Sequence, residues 1–199
     1  VIIWALVGLG YNLMLGYTGQ LSFGHGVFFG VAAYTAAILQ IRFVNDMFFP
    51  ILGGIVVGTL VGAAEGFLVL RRRGVYFSLL TLAFAQMFFY LAFAWTDVTG
   101  GESGLGGYSR MPVLGIFDMS TPIQYYYFVA VFVFIGVLLM WRIVHSPFGR
   151  VLLAIKQNEP RAKAVGYNTQ RYKWVAFIIS TAFTSAAGAL FAYVLEFMY

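Results

Sequence analysis

His25 and His145 are the only imidazoles in this 199-residue chain, and it contains no cysteine. Neither histidine has a carboxylate or a second histidine at helical spacing, so no metal-ligand set is formed. Disulfides, thiolate metal sites and thiol nucleophiles are excluded. No G-x-x-x-x-G-K-[ST] phosphate loop occurs. Gly101-Glu102-Ser103-Gly104 has the G-x-S-G form of an intramembrane serine nucleophile. That chemistry needs a histidine base from a later helix at the same depth, and His145 falls at the opposite membrane edge by the charge pattern below. The remaining polar groups are neutral: Asn12, Thr18, Gln20, Ser22 and His25 gather around a glycine-rich stretch at 16–26. Unwound polar backbone at membrane depth is tolerated only where protein buries it or where it lines a cavity, and broken helices of this kind build the site in many transporters. These five residues are therefore a candidate substrate path. The competing reading is an ordinary short turn at the membrane edge. No cofactor is implied.

The elements that would position these groups follow from composition. Hydrophobic residues make up 61% of the chain, aromatics 19% and charged residues only 10%, with a mean hydropathy of +0.86. Soluble domains carry roughly 25% charged residues, and 12 basic with 7 acidic side chains cannot cover a globule of this size. An integral membrane protein is the consequence; the net charge of +5 could point to nucleic acid, but so few charges over so apolar a chain argue against it. Val1 opens inside an apolar run with no basic segment before it. That is not a signal peptide, and the chain reads as a fragment.

Charged positions cut the sequence into apolar blocks. Residues 1–41 carry no charge and as one helix would reach about 62 Å, two crossings of a ~30 Å hydrocarbon core; the break falls at 16–26. Further blocks cover 47–70, 75–95, 123–141 and 174–195. They do not alternate in the ~10-residue pieces of a membrane barrel. The expected fold is all-α, a polytopic transmembrane bundle of about six apolar helical segments, one of them broken or re-entrant near 16–26.

Lys and Arg set the orientation. Arg71-Arg72-Arg73 ends the third block, and the 142–173 connection holds seven basic residues with Glu159 as its only acid. The 96–122 connection instead carries Asp97, Glu102 and Asp118 against Arg110. The basic clusters are assigned to the cytoplasm and the acidic loop, with Arg42, to the outside. Single crossings by blocks four and five put both basic clusters on one side, as required.

Gly54, Gly58, Gly62 and Gly66 recur every fourth residue and so share a helix face that permits close packing. Ser180, Thr184, Gly188 and Ala192 form a similar stripe, and tight packing is the favoured reading of both over a path-lining one. Glu65 is expected near the cytoplasmic interface, snorkelling or paired, with a transport role as the lesser alternative.

The 142–173 connection is long for a helix-to-helix turn and reads as ordered. Ser146-Pro147 predicts an N-cap with proline in the first turn, leading a helix to about Gln157. Asn158 with Pro160 restarts a short helix that Gly166 stops, and Asn168 or Thr169 caps the final span. Such helices present a surface; a solvated basic loop that only sets topology is the alternative.

These segments resemble the membrane subunits of bacterial ABC importers of the branched-chain amino-acid (LIV-type) family. The resemblance is carried by Asn12-Leu13-Met14-Leu15-Gly16-Tyr17-Thr18-Gly19-Gln20-Leu21-Ser22-Phe23-Gly24-His25 and by Arg73-Gly74-Val75-Tyr76-Phe77-Ser78-Leu79-Leu80-Thr81-Leu82-Ala83-Phe84. It continues through Thr99-Gly100-Gly101 with Gly104-Leu105, Ser146-Pro147-Phe148-Gly149-Arg150, Ala154-Ile155, Asn158-Glu159, Gly166-Tyr167-Asn168 and Arg171-Tyr172-Lys173. The likeness is to the larger, M-type half. It implies one transmembrane permease domain over 1–199, incomplete at both ends, in a multi-pass protein of the bacterial inner membrane. The implied partners are a second permease subunit in a heterodimer, two cytoplasmic ATPase subunits that hydrolyse ATP, an extracytoplasmic substrate-binding protein and membrane lipid. The implied function is import of branched-chain or related neutral amino acids without covalent chemistry. The implied coupling loop is 142–173, with Pro147, Gly149, Arg150, Glu159, Arg161 and Gly166 as candidate ATPase contacts. Glu159-Pro160-Arg161 departs from the family's E-A-A string. A secondary transporter for small polar solutes is the competing function; it needs ionisable groups deep in the spans, where only Glu65 comes near.

Overall fold

The computed structural model describes residues 1–43, 46–72, 74–101, 104–107 and 121–195. Arg73, Glu102, Ser103, Arg110 and Asp118, which entered the charge and protease arguments, lie outside them. Among the described residues the chain forms α1 (Ile2–Asn12), a π-helical continuation (Leu13–Thr18), α2 (His25–Arg42), α3 (Phe48–Val69), α4 (Val75–Ala94) and the single turn α5 (Thr96–Thr99). There follow α6 (Pro122–His145), α7 (Pro147–Gln157), α8 (Glu159–Ala164) and α9 (Thr169–Leu195). α3, α4, α6 and α9 are each long and apolar enough to cross a membrane, while Ile2–Thr18 is a shorter apolar helix. With α2, these make six apolar helical segments in an all-α bundle.

The first connection is shorter than 16–26. Gly16 and Tyr17 remain helical in the π-turn, Gly19 adopts a left-handed φ of 72° and ends it, and α2 begins directly at His25. The Thr18 hydroxyl donates to the Met14 carbonyl at 2.6 Å, and the Gln20 amide donates to the same carbonyl at 3.2 Å. These bonds carry the helix two residues beyond the first glycine of the stretch.

The core centres on α9, against which α1, α2 and α3 pack. Small residues make the close approach possible. A Cβ on Gly54 would run into the Ala32 carbonyl of α2 and lie 3.2 Å from Ala189, and one on Gly66 would lie 2.6 Å from the Phe177 ring. On Gly58 and Gly62 it would overlap the side chains of Ser185 and Thr181. From the other side, Gly188 of α9 abuts the backbone of α2 at Phe29, and Gly10 of α1 abuts α9 at Ser180. α6 joins through Gly136, against Leu6, and through the Tyr125 hydroxyl, which donates to the Leu190 carbonyl. α4 stands largely outside this core and buries only Phe77, Ser78 and Thr81.

Arg71 and Arg171 border one groove with Phe67 and Trp174, so the end of α3 and the start of α9 share a basic end of the bundle. At the opposite end the Arg42 guanidinium donates to the Asp97 carbonyl at 3.0 Å.

Two local expectations are corrected. Ser146 occupies the N-cap position of α7, but its hydroxyl donates backwards to the Ile143 carbonyl at 2.6 Å instead of capping. α6 ends one residue earlier, and its freed last-turn carbonyls compete for that proton. Glu65 neither snorkels nor pairs: it is 2% exposed, and neither carboxylate oxygen has a hydrogen-bond partner among the described residues.

Gly62→Leu is expected to destabilise the chain by about 1–3 kcal/mol by overpacking against Thr181. Val56→Leu, at a position 55% exposed on the same helix, is expected to be nearly neutral. Thermal melting of both variants in detergent checks this; equal tolerance would mean that the glycine face is not a contact.

Candidate functional site

The helix break is the first component. Asn12 is exposed and its amide lies against Gly16, where a Cβ would collide with it. Thr18, Gln20, Ser22 and His25 are all buried. The Ser22 hydroxyl accepts from the Gly24 amide at 3.3 Å, and the Gln20 carbonyl oxygen Oε1 has no partner among the described residues. His25 Nε2 meets the Ser180 hydroxyl at 2.7 Å, and that hydroxyl donates to the Gly10 carbonyl at 2.5 Å. One hydroxyl carries one proton, so Nε2–H must be the donor to Ser180. Nδ1 is then the bare nitrogen, and it too lacks a partner among the described residues. The histidine is thus a strut between α1, α2 and α9, with aromatic edges of Tyr11, Phe28 and Phe177 around it.

α4 satisfies the backbone of the connection. Ser78 Oγ donates to the Leu21 carbonyl at 2.6 Å, and Thr81 Oγ1 accepts from the Phe23 amide at 3.1 Å. Gly24 sits in the gap between α3 and α4, where a Cβ would come within 2.9 Å of the Thr81 carbonyl and 3.2 Å of a Glu65 carboxylate oxygen. Ser78 and Thr81 belong to the family-like stretch 73–84 but were not among the candidate site residues; two hydroxyls three residues apart in a largely apolar span were the available signal.

Beside the break, α2 and α4 diverge and leave a groove of about 500 Å³. It runs from Gly26, next to the break, past Gly30, Tyr34 and Phe88 to Trp95 and Thr99 at the opposite end. Nothing lies within 4 Å of a Cβ built on Gly26 or Gly30, so these glycines keep the α2 wall open. The lining is mostly apolar; its polar groups are the Tyr34 hydroxyl, the Gln86 amide, the Trp95 indole N–H and the hydroxyls of Thr35 and Thr99, which are already bonded to the Val31 carbonyl at 2.7 Å and the Trp95 carbonyl at 2.9 Å. Among the described residues no charged side chain lines it. Such a surface suits an apolar side chain.

The second component is a platform at the basic end. Pro147 starts α7, and Gly149 is buried where a Cβ would collide with the Val144 backbone, which lets α7 fold back sharply beneath α6. α7 turns Val151, Leu152 and Ile155 inward and leaves Arg150, Leu153 and Gln157 exposed. Asn158 Oδ1 caps α8 by accepting from the Arg161 amide at 3.0 Å, and the Arg161 side chain is exposed. Gly166, at φ 100°, closes α8: its amide donates to the Lys163 carbonyl at 2.9 Å and the Tyr167 amide to Ala162 at 3.2 Å. That pair of bonds is a Schellman motif, which needs the left-handed residue that glycine supplies. Asn168, the first of the two expected caps, accepts from the Arg171 amide at 3.2 Å.

Glu159 fixes this platform to α9. Its carboxylate accepts from Lys173 Nζ at 2.7 Å and from the Thr169 hydroxyl at 3.0 Å, and Lys163 approaches at 3.5 Å. Lys173 is 5% exposed, so the carboxylate neutralises a cation that water hardly reaches. Glu159 is therefore turned toward α9, whereas Arg150 and Arg161 face outward. The platform also meets the break: Lys156 Nζ donates to the Gly16 carbonyl at 2.7 Å. Glu159→Gln strips the charge partner from Lys173 and is expected to cost roughly 3–5 kcal/mol. Lys163→Ala, which removes only the exposed i,i+4 contact, is expected to cost about 0.5 kcal/mol or less. Urea or thermal unfolding in detergent separates the two, and similar small losses would refute the anchoring role.

Comparison with known proteins places this architecture. The chain is 31% identical over 218 aligned residues to the high-affinity branched-chain amino acid transport system permease protein LivM of Escherichia coli (strain K12), covering 96% of this chain and 50% of that protein. LivM of Salmonella typhimurium (strain LT2) gives the same identity and the same coverage. The chain spans about half the length of these curated relatives. No solved structure matches it significantly. The family model described as "Branched-chain amino acid transport system / permease component" matches residues 1–198, and the chain belongs to that family.

Proposed function

We propose that this chain is part of the translocation subunit of an ATP-binding-cassette importer for branched-chain or related neutral amino acids in a bacterial inner membrane. Family membership supports the class. The observation that carries the reading is the platform: two short helices folded at the basic end, anchored by Glu159 to Lys173, and presenting Arg150, Arg161 and Val165 outward. Membrane topology requires no such construction. On this reading 142–173 is the cytoplasmic coupling loop and ATP is hydrolysed by two partner ATPases. A second permease subunit completes a heterodimer, and an external binding protein delivers substrate. The apolar, uncharged groove between α2 and α4 suits the aliphatic side chain of such a substrate, and the open flank of α4 is where the second permease subunit or lipid covers the bundle. Asn12, Thr18, Gln20, Ser22 and His25 shape the inner end of the path by holding the break rather than by lining the groove.

Glu65, buried without a partner among the described residues, is the one feature that favours the rival, an ion-coupled transporter. Vesicles carrying the full-length chain with its partners separate the two. ATP-dependent uptake stimulated by loaded binding protein is expected, and uptake driven by a proton gradient without ATP would overturn the proposal.

These 199 residues contain no cysteine, so single introduced cysteines test the orientation. Cysteines at Thr96 and Gln157 are expected to react with an impermeant maleimide from opposite sides of the membrane; labelling from one side alone would overturn it. Gly166→Val places a β-branched residue at a left-handed φ, a strained arrangement, and is expected to leave the chain inserted while ATPase recovery in a pull-down falls. Arg150→Glu and Arg161→Glu are expected to weaken recovery in a salt-sensitive way, with Arg42→Gln, at the opposite end, as the unaffected control. Unchanged recovery with Gly166→Val would remove α8 from the docking surface.

A further inference from the structure

Where the first helix stops, its last carbonyls lose their helical partners. Met14 is amply served, accepting from the Thr18 hydroxyl and from the amides of Gly19 and Gln20. Gly16 is not served from its own segment. Its carbonyl accepts from Lys156 Nζ at 2.7 Å, across 140 residues of sequence. The Lys156 stem crosses Gly19, where a Cβ would stand 3.1 Å from Lys156 Cγ, and Gly19 itself is left-handed. The contact is thus made to the chain's own turning point. A cation at a helix C-terminus is favoured by the aligned peptide dipoles, and an ionised donor strengthens the bond.

The apolar side of the same helix grips the same turn. Leu152 of α7 is fully buried in a cluster with Leu13 and Met14 of the π-turn and with Phe177 of α9. α7 therefore holds the break by one charge-assisted bond and one apolar contact, and the break in turn is bonded to α4 through Ser78 and Thr81 and to α9 through His25. A π-turn holds one more residue per turn than an α-turn and is a recurrent device at functional sites. It can hand that residue to the following connection and so change length without breaking the chain.

We infer that Lys156 is a positioning residue that ties the platform to the helix break, so that displacement of α7 by a docked partner changes the geometry of residues 13–20 at the inner end of the α2–α4 groove. The inference rests on the transport reading above and names the element by which coupling would reach the path. Lys156 points its ammonium group at the membrane domain, so its part is distinct from that of Arg150 and Arg161, which face away from the bundle.

The test uses the full-length chain assembled with its ATPases, second permease subunit and binding protein in lipid nanodiscs and vesicles, comparing wild type, Lys156→Met and Lys156→Arg. Lys156→Met keeps the apolar stem and removes the donor. It is expected to bind the ATPases at the wild-type level and to melt as wild type does. Uptake per ATP hydrolysed should fall about tenfold, and amide exchange over residues 13–20 should quicken by a similar factor. Lys156→Arg restores a donor of similar reach and should recover most of both. Normal uptake per ATP, or unchanged exchange over 13–20, in Lys156→Met overturns the inference and leaves the transport reading intact. A parallel loss of melting temperature, ATPase binding and uptake makes Lys156 a general structural residue and also overturns it. Wild-type vesicles that take up no amino acid with ATP overturn the transport reading, and the inference with it.

Discussion

Backbone amides and carbonyls released inside an apolar bundle must be satisfied by protein, because hydrocarbon offers them nothing. The first helix stops between Thr18 and His25, and much of the polar chemistry of the surrounding helices answers to that stop. Ser78 and Thr81 give a largely apolar span the donor and the acceptor that the Leu21 carbonyl and the Phe23 amide need. Ser180 of α9 links the His25 ring at the start of α2 to the Gly10 carbonyl of α1. Each unmade bond of this kind would cost about 1–3 kcal/mol.

Close packing makes that satisfaction possible. The Ser180 hydroxyl of α9 reaches the Gly10 carbonyl because α1 and α9 touch at that glycine, and the four-residue spacing of Gly54, Gly58, Gly62 and Gly66 turns all four toward α9 and α2. In a membrane, without a hydrophobic drive between helices, such van der Waals contact is a principal source of association. The same geometry explains the asymmetry of the molecule. α9 is enclosed by α1, α2 and α3, while α4 exposes most of its length and leaves a groove against α2. One half of the bundle is a finished core and the other is a surface.

The platform joins these two themes. Its helices are capped locally by Asn158 and Gly166, yet its position is fixed by long-range contacts, Glu159 with Lys173 and Lys156 with Gly16. A rigid surface element attached to a bundle at a helix break can pass movement inward, because packed elements shift as units rather than deform.

Much was legible without coordinates. Charge-free blocks marked the helices because a charge in hydrocarbon is expensive. Asn158 and Gly166 marked the limits of α8 because cap chemistry is local: an Asx side chain reaches an amide three residues on, and a left-handed φ favours glycine. Glycine periodicity marked a face because 3.6 residues make a turn. The tertiary structure alone decided the rest. That Lys156 bonds Gly16, that Ser78 bonds Leu21, that Lys173 is buried against Glu159, that Glu65 lies inside and that the Ser146 hydroxyl turns back to α6 are outcomes of how helices far apart in sequence come together. A sequence declares which residues can donate, accept or carry charge. The choice of partner depends on which groups the fold brings within about 3 Å, and no local pattern carries that distance.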